Sequence, residues 1–184
     1  ASDGTAFGVD VWGTKALMRF PEGGGATEVI DGATHAALVG ADPVPTFLDP
    51  GPSGDLWIGY RNGKVVRIAA DGKAALFYDA WKDFVESGGG GEDGRTCFGG
   101  MQCNLIAGPF AYEPVRGLMY FWLTLEVLGS YSAYEPWLMA VLPDGTIRIV
   151  ADQAALRESM TYFGGQSISG MAPDGAGGLW VLGV

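Results

Sequence analysis

The chain has 184 residues, enough for one or two domains with a real core but not three. With 48% hydrophobic, 12% aromatic and 17% charged residues it has the composition of an ordered globular protein rather than a disordered one. A formal net charge of -10 with no lysine or arginine cluster argues against nucleic acid and anionic membranes as partners, and the best apolar run, Leu118 to Leu128, contains Glu126 and is too short to span a bilayer.

The 31 glycines and 10 prolines cut the chain into short segments, which favours strands and turns over long helices. The first strand is expected in Asp3-Gly4-Thr5-Ala6-Phe7-Gly8-Val9, followed by a hairpin: Ala16 to Phe20, the turn Pro21-Glu22-Gly23, then Ala26 to Ile30. A long link, Asp31 to Pro43, leads to a strand over Val44 to Leu48. The turn cluster Pro50-Gly51-Pro52-Ser53-Gly54-Asp55 then releases into the apolar strand Leu56-Trp57-Ile58-Gly59. A second hairpin runs Val65 to Ala69, turn Ala70-Asp71-Gly72, Lys73 to Tyr78. The next link, Asp79 to Cys103, opens on Ala80-Trp81-Lys82-Asp83-Phe84-Val85-Glu86, which predicts one or two helical turns before Gly88 to Gly91 breaks them.

The third unit has a strand over Asn104 to Tyr112, a looser turn-and-strand copy from Glu113 to Phe121, and a hairpin of Trp137 to Leu142, Pro143-Asp144-Gly145 and Thr146 to Val150. It is longer than the second unit, and the extra residues are expected in a loop over Glu126 to Pro136. In the link Ala151 to Gly165, Asp152 is expected to cap a short helix through Glu158. A strand over Gln166 to Ala172 and the element Pro173-Asp174-Gly175-Ala176-Gly177-Gly178-Leu179-Trp180-Val181 follow. Placing Ala6, Leu56, Leu118 and Leu179 at equivalent positions brings the four copies into register, at intervals of about 50 to 60 residues.

Four antiparallel strands recurring with a glycine-aromatic signature predict an all-β fold, a β-propeller built of four-stranded antiparallel blades. At Leu56-Trp57-Ile58-Gly59-Tyr60-Arg61-Asn62-Gly63-Lys64-Val65-Val66-Arg67-Ile68 the chain resembles the two-component-regulator-type propeller repeats, whose blades carry a Gly-x-Leu-Trp-Ile-Gly-Thr core. More distantly it is similar to NHL repeats and gluconolactonase-like propellers. The resemblance is close over Leu56 to Ile68 and Gly178 to Gly183; it departs at Tyr60, where the repeat has threonine, and across the third unit. The units fall at approximately 1–43, 44–103, 104–165 and a partial 166–184 within a single propeller segment. Three blades plus part of a fourth leave a ring unfinished, so the expectation is a portion of a larger or assembled propeller, closed by further blades or by another chain. The start Ala1-Ser2-Asp3, without Met or a signal-peptide pattern, reads as a mature, trimmed or partial product.

Trp57 and Trp180, at equivalent repeat positions, are expected to pack between blades rather than to stack on a ligand. In an up-and-down blade the links between blades and the loop between the second and third strands share one face, and every long insertion here falls there. Long ordered loops on a rigid scaffold are where binding resides. The expected partner-binding set is therefore Trp81, Arg95, Tyr131, Tyr134, Arg157 and Tyr162, weighed against loops that merely pack on the rim.

Catalysis has thinner support. His35, the only histidine, is a candidate base in the first link, though a solvent-facing loop residue is the commoner outcome. There is no Gly-x-Ser-x-Gly elbow, His-Glu-x-x-His segment or phosphate loop. The lactonase-like resemblance implies a divalent metal near the axis held by carboxylates and an asparagine. Asn104 is the residue here that matches, while Val44 and Gln166 stand at the other equivalent positions. The acidic stretch Asp49 to Asp55 offers oxygen ligands for calcium, without the dense alternating carboxylates of a dedicated loop. Cys97 and Cys103, six positions apart with no histidine nearby, are expected to form a small disulfide, with two buried thiols as the alternative; a bridge favours an extracytoplasmic, oxidising location. The expected function is a non-enzymatic binding or assembly module without a cofactor; the alternative is a lactonase-like hydrolase or lyase. Its expected partners are proteins or further blades from another chain.

Overall fold

Asp-Gly turns organise the chain. The computed structural model describes residues 6–10, 13–41, 44–93, 96–97, 100–128, 134–159 and 168–183, and side chains at all of these except 134, 153, 157, 159 and 183. At Gly72, Gly145 and Gly175 φ is 84°, 85° and 80°, a left-handed conformation that glycine adopts without steric cost. In each case the preceding aspartate accepts a backbone N–H two residues on: Asp71 Oδ1 from Lys73 (3.1 Å), Asp144 Oδ1 from Thr146 (2.9 Å) and Asp174 Oδ1 from Ala176 (2.7 Å). Those backbone donors hold the three carboxyls below the ordinary aspartate range.

The resulting fold is mostly β, and every strand pairing among the described residues is antiparallel. The first sheet holds β1 (Ala6–Val9), β2 (Leu17–Phe20) and β3 (Thr27–Ile30), in that order. The second is a four-stranded meander of β4 (Pro45–Pro50), β5 (Leu56–Tyr60), β6 (Lys64–Ile68) and β7 (Ala74–Asp79). The third contains β8 (Thr96–Cys97), β9 (Met101–Glu113), β10 (Leu118–Val127), β11 (Tyr134–Val141) and β12 (Ile147–Ala151), with β8 an added edge beside β9. The last pairs β13 (Ile168–Pro173) with β14 (Leu179–Gly183).

Strand alternation sends successive side chains to opposite faces, and this assembles the sheets in chain order. Leu56, Ile58, Tyr60, Val66 and Ile68 face the first sheet and bury with Leu17, Ile30 and Val39. Trp57 and Val65 face the other way and bury with Phe110, Met119, Phe121 and Leu123 of the third sheet. The opposite face of that sheet, with Leu118, Tyr120 and Trp122, packs against Met171, Leu179, Val181 and Ile168 of the last.

Close backbone approach locks the second and third sheets together. A Cβ on Gly59 would fall on the Ala107 carbonyl, so only glycine fits there. Thr46 Oγ1 donates to the carbonyls of Gly59 (3.0 Å) and Ala107 (2.8 Å), and Asp49 Oδ2 accepts from the Phe110 N–H at 3.0 Å. Since both β4 residues meet partners at the same offset, 46 with 107 and 49 with 110, β4 and β9 run side by side in the same direction. Burial raises the Asp49 carboxyl above its ordinary range.

Two expectations for the third sheet are corrected. Leu118 is not equivalent to Leu56. The turn from Glu113 to Leu118 is one residue shorter than those from Pro50 to Leu56 and Pro173 to Leu179, so Met119 takes the inward position and every later side chain changes face. Nor is the extra length over Glu126 to Pro136 all loop. Glu126 pairs with Tyr134, Leu125 with Glu135 and Thr124 with Pro136, so both ends of it lengthen the β10–β11 hairpin.

Candidate functional site

Each link between sheets carries a helix started by the same device. An aspartate at the end of a strand turns its carboxylate onto the first free N–H groups, meeting donors that a helix start leaves unpaired. Asp31 Oδ1 accepts from the Thr34 N–H (2.8 Å) and its Oδ2 from the Thr34 hydroxyl (2.9 Å), opening α1 (Gly32–Val39). Asp79 Oδ1 accepts from the Lys82 N–H (3.3 Å) ahead of α2 (Ala80–Glu86), and Asp152 Oδ1 from the Ala155 N–H (3.0 Å) ahead of α3 (Gln153–Ser159). The helices over Ala80 to Glu86 and after Asp152 match the sequence reading; α1 went unforeseen, although Asp31 before Ala33-Thr34 was its signal.

The β5–β6 turn ties this end of the molecule together. Asn62 Nδ2 donates to the Val39 carbonyl at the end of α1 (2.7 Å), and the Gly63 carbonyl accepts from the Ala80 N–H at the start of α2 (3.1 Å). Arg61 reaches the third sheet: its Nη2 donates to Glu126 Oε2 at 3.0 Å, and the same oxygen accepts from Asn104 Nδ2 at 2.7 Å. Asn62 and Leu105 form an isolated parallel bridge beside them. A cleft of about 600 Å³ opens here, lined by Val39, Asn62, Lys64, Trp81, Lys82 and Asp93 among others. The Arg61 and Glu126 contacts, absent from the sequence reading, join residues 65 apart in the chain that no local pattern connects.

The expected partner-binding residues divide. Trp81 is buried: its ring packs edge-on against Phe84 at 5.6 Å and its Nε1 donates to the Gly91 carbonyl at 3.1 Å. It anchors α2 to the core and also lines the cleft. Arg95, Tyr131 and Tyr162 lie outside the described residues, as do the side chains of Tyr134, at the start of β11, and Arg157, in α3.

His35 is also corrected as a solvent-facing residue. It lies in α1, is 0% exposed, and has both ring nitrogens engaged, Nδ1 with the Lys15 carbonyl at 2.6 Å and Nε2 with the Tyr60 hydroxyl at 2.5 Å. A carbonyl can only accept, so Nδ1 carries a proton; in the neutral ring Nε2 accepts from the Tyr60 O–H. Burial lifts Tyr60 well above the ordinary tyrosine range, which keeps that hydroxyl a donor. Through these two contacts His35 holds α1 against the second sheet.

The residues do not fit a divalent metal at Asn104. Its amide nitrogen faces the Glu126 carboxylate as a donor, and among the described residues no group of three or more histidines, cysteines, aspartates or glutamates comes together. Nor do Asp49 and Asp55 converge as calcium ligands: Asp49 accepts from Phe110, and Asp55 holds Arg67 through its Oδ2, 2.7 Å from Nε and 2.5 Å from Nη2.

Cys97 and Cys103 form the expected disulfide, joining β8 to β9 in the core shared by the second and third sheets. Among the described residues no helix is long and apolar enough to cross a membrane. No family model matches the chain, and no curated protein gives a significant match to it.

Proposed function

We propose that the chain is a non-enzymatic binding module of the β-propeller type, with successive four-stranded blades, whose helix-bearing end engages a protein partner outside the cytoplasm. The reading rests on the aspartate-capped helices that occupy the links between sheets, two of which, α1 and α2, gather with the β5–β6 turn beside the cleft at Asn62, Lys64 and Lys82. Chain-order stacking and the parallel course of β4 and β9 support the blade arrangement, since the first strands of propeller blades run alike. The disulfide supports an oxidising compartment. Arg61 and Lys82 are exposed beside the cleft, paired with Glu126 and Glu86, and the lining also carries Asp79, Glu92 and Asp93, so the rim offers both signs of charge to a partner.

The test is capture of partner proteins from an extract of the source cells on immobilised chain, compared across variants of equal stability. Arg61→Glu with Lys82→Glu should abolish capture, whereas Lys73→Glu, in the opposite β6–β7 turn, should leave it intact. Capture lost with Lys73→Glu, or untouched by the cleft pair, would refute the assignment.

A further inference from the structure

Helix α2 has a second surface that the cleft does not use. Lys82, Val85 and Glu86 border the cleft, whereas Ala80, Asp83, Phe84 and Ser87, spaced three and four apart, turn to the other side of the helix. There they meet the third sheet across a pocket of about 380 Å³. Its floor is apolar and buried, formed by Leu105, Leu123 and Met139. Three half-buried aromatic side chains from three elements line it: Tyr78 of β7, Phe84 of α2 and Trp137 of β11. Ile147 and Ile149 of β12 complete the apolar lining, the second of them 57% exposed. Sites for small organic molecules span roughly 300–1,000 Å³, so this pocket suits an occupant at the small end of that range.

Charge selects among such molecules. Asp83 is the acidic residue of the lining and is exposed at its rim. Among the described residues no lysine or arginine pairs with it, since Lys82 on the same helix turns to Glu86. Burial first, and the neighbouring Asp83 carboxylate second, hold the Tyr78 hydroxyl well above the ordinary tyrosine range, so Tyr78 stays a neutral donor. Arg148 also borders the pocket, but it alternates with Ile147 and Ile149 along β12, which sends its guanidinium to the opposite face of the sheet. A carboxylate beside the π faces of three rings, over an apolar floor, is complementary to an organic cation with an apolar body. An anion would meet Asp83 as a like charge, and a neutral molecule would leave it without a counter-ion.

We propose that this pocket binds a small organic ammonium ion, its apolar body on Leu105, Leu123 and Met139 and its nitrogen between Asp83 and the aromatic rings. The site lies across α2 from the cleft, and its occupancy does not depend on partner binding there.

Isothermal titration calorimetry tests it with 2-phenylethylammonium and benzyltrimethylammonium as probes, and 2-phenylethanol and 3-phenylpropionate as the neutral and anionic comparisons. An ammonium probe should bind saturably at one site per chain, about tenfold more tightly than either comparison, and more weakly as salt is raised. It should also move the indole N–H resonance of Trp137, identified as the one that Trp137→Phe lacks. Asp83→Asn removes the charge, and Ile149→Lys brings a competing cation to the rim. Each should lower the affinity by about tenfold, with circular dichroism establishing that both variants are folded. No saturable binding of either ammonium, equal binding of the alcohol or the acid, an unmoved Trp137 resonance, or affinity unchanged in both variants would each overturn the proposal. Capture of a protein partner at the cleft is read separately, and none of these outcomes bears on it.

Discussion

Removing the Tyr60 hydroxyl should expose the energetic role of the buried histidine. In Tyr60→Phe, the His35 Nε2, now 2.5 Å from the hydroxyl and sealed from water, loses its donor. A buried acceptor left without a partner costs about 1–3 kcal/mol. His35→Leu should cost more, since it strands the Tyr60 hydroxyl and also removes the donor to the Lys15 carbonyl. Combining the two changes removes both members of the His–Tyr bond, leaving neither orphaned. The double variant should therefore be more stable than the sum of the single losses implies, with a coupling of about 1–3 kcal/mol. Urea unfolding followed by tryptophan fluorescence and far-ultraviolet circular dichroism measures all four corners of the cycle. For a chain of this size each kcal/mol corresponds to about 2–4 °C in Tm, an independent check. Additive losses, or a Tyr60→Phe variant as stable as the parent, would refute the argument.

Gly59→Ala should destabilise by about 1–3 kcal/mol or more, since its methyl meets the Ala107 backbone and not a side chain that could move aside; chemical denaturation measures it. Asp49→Asn should become progressively more favourable relative to wild type as pH rises from about 4 to 7. The folded carboxyl sits above its unfolded value, so the stability it contributes is full below the unfolded value and is lost as pH climbs through the folded one. Asparagine keeps an acceptor for Phe110, and a stability difference independent of pH would contradict this. Asp71, Asp144 and Asp174 work in the opposite sense: their lowered values give stability that is present above the unfolded value and lost in acid. Serine at both Cys97 and Cys103 should lower stability by about 2 kcal/mol, the amount expected for so short a closed loop, as read by the urea midpoint.

Local chemistry explains what was legible in the sequence. Asp-Gly turns specify hairpins within a few residues, so the strands around Asp71 and Asp144 emerged close to their observed limits, as did the aspartate-capped helices after Asp79 and Asp152. What escaped depends on length and on distance. One residue fewer between Glu113 and Leu118 reverses which side chains face inward, and a count of apolar residues cannot register that. The apolar run over Leu118 to Leu128 is a long strand buried on both faces, hence without the alternation that marks a half-exposed one. Polar residues that looked free were satisfied from afar: His35 by Tyr60, and Asn104 by Glu126. Of the six expected contact residues, Trp81 alone has a described side chain, and its indole serves the interior.

Because every sheet rests on the one before it, support within the molecule is uneven. The two middle sheets are clamped from both sides, whereas β1 to β3 and β13 to β14 each lean on a single neighbour. Opening should start at the outer sheets and travel inward, so that amide protons in β5 and β10 survive longest against deuterium and those of β14 are surrendered first.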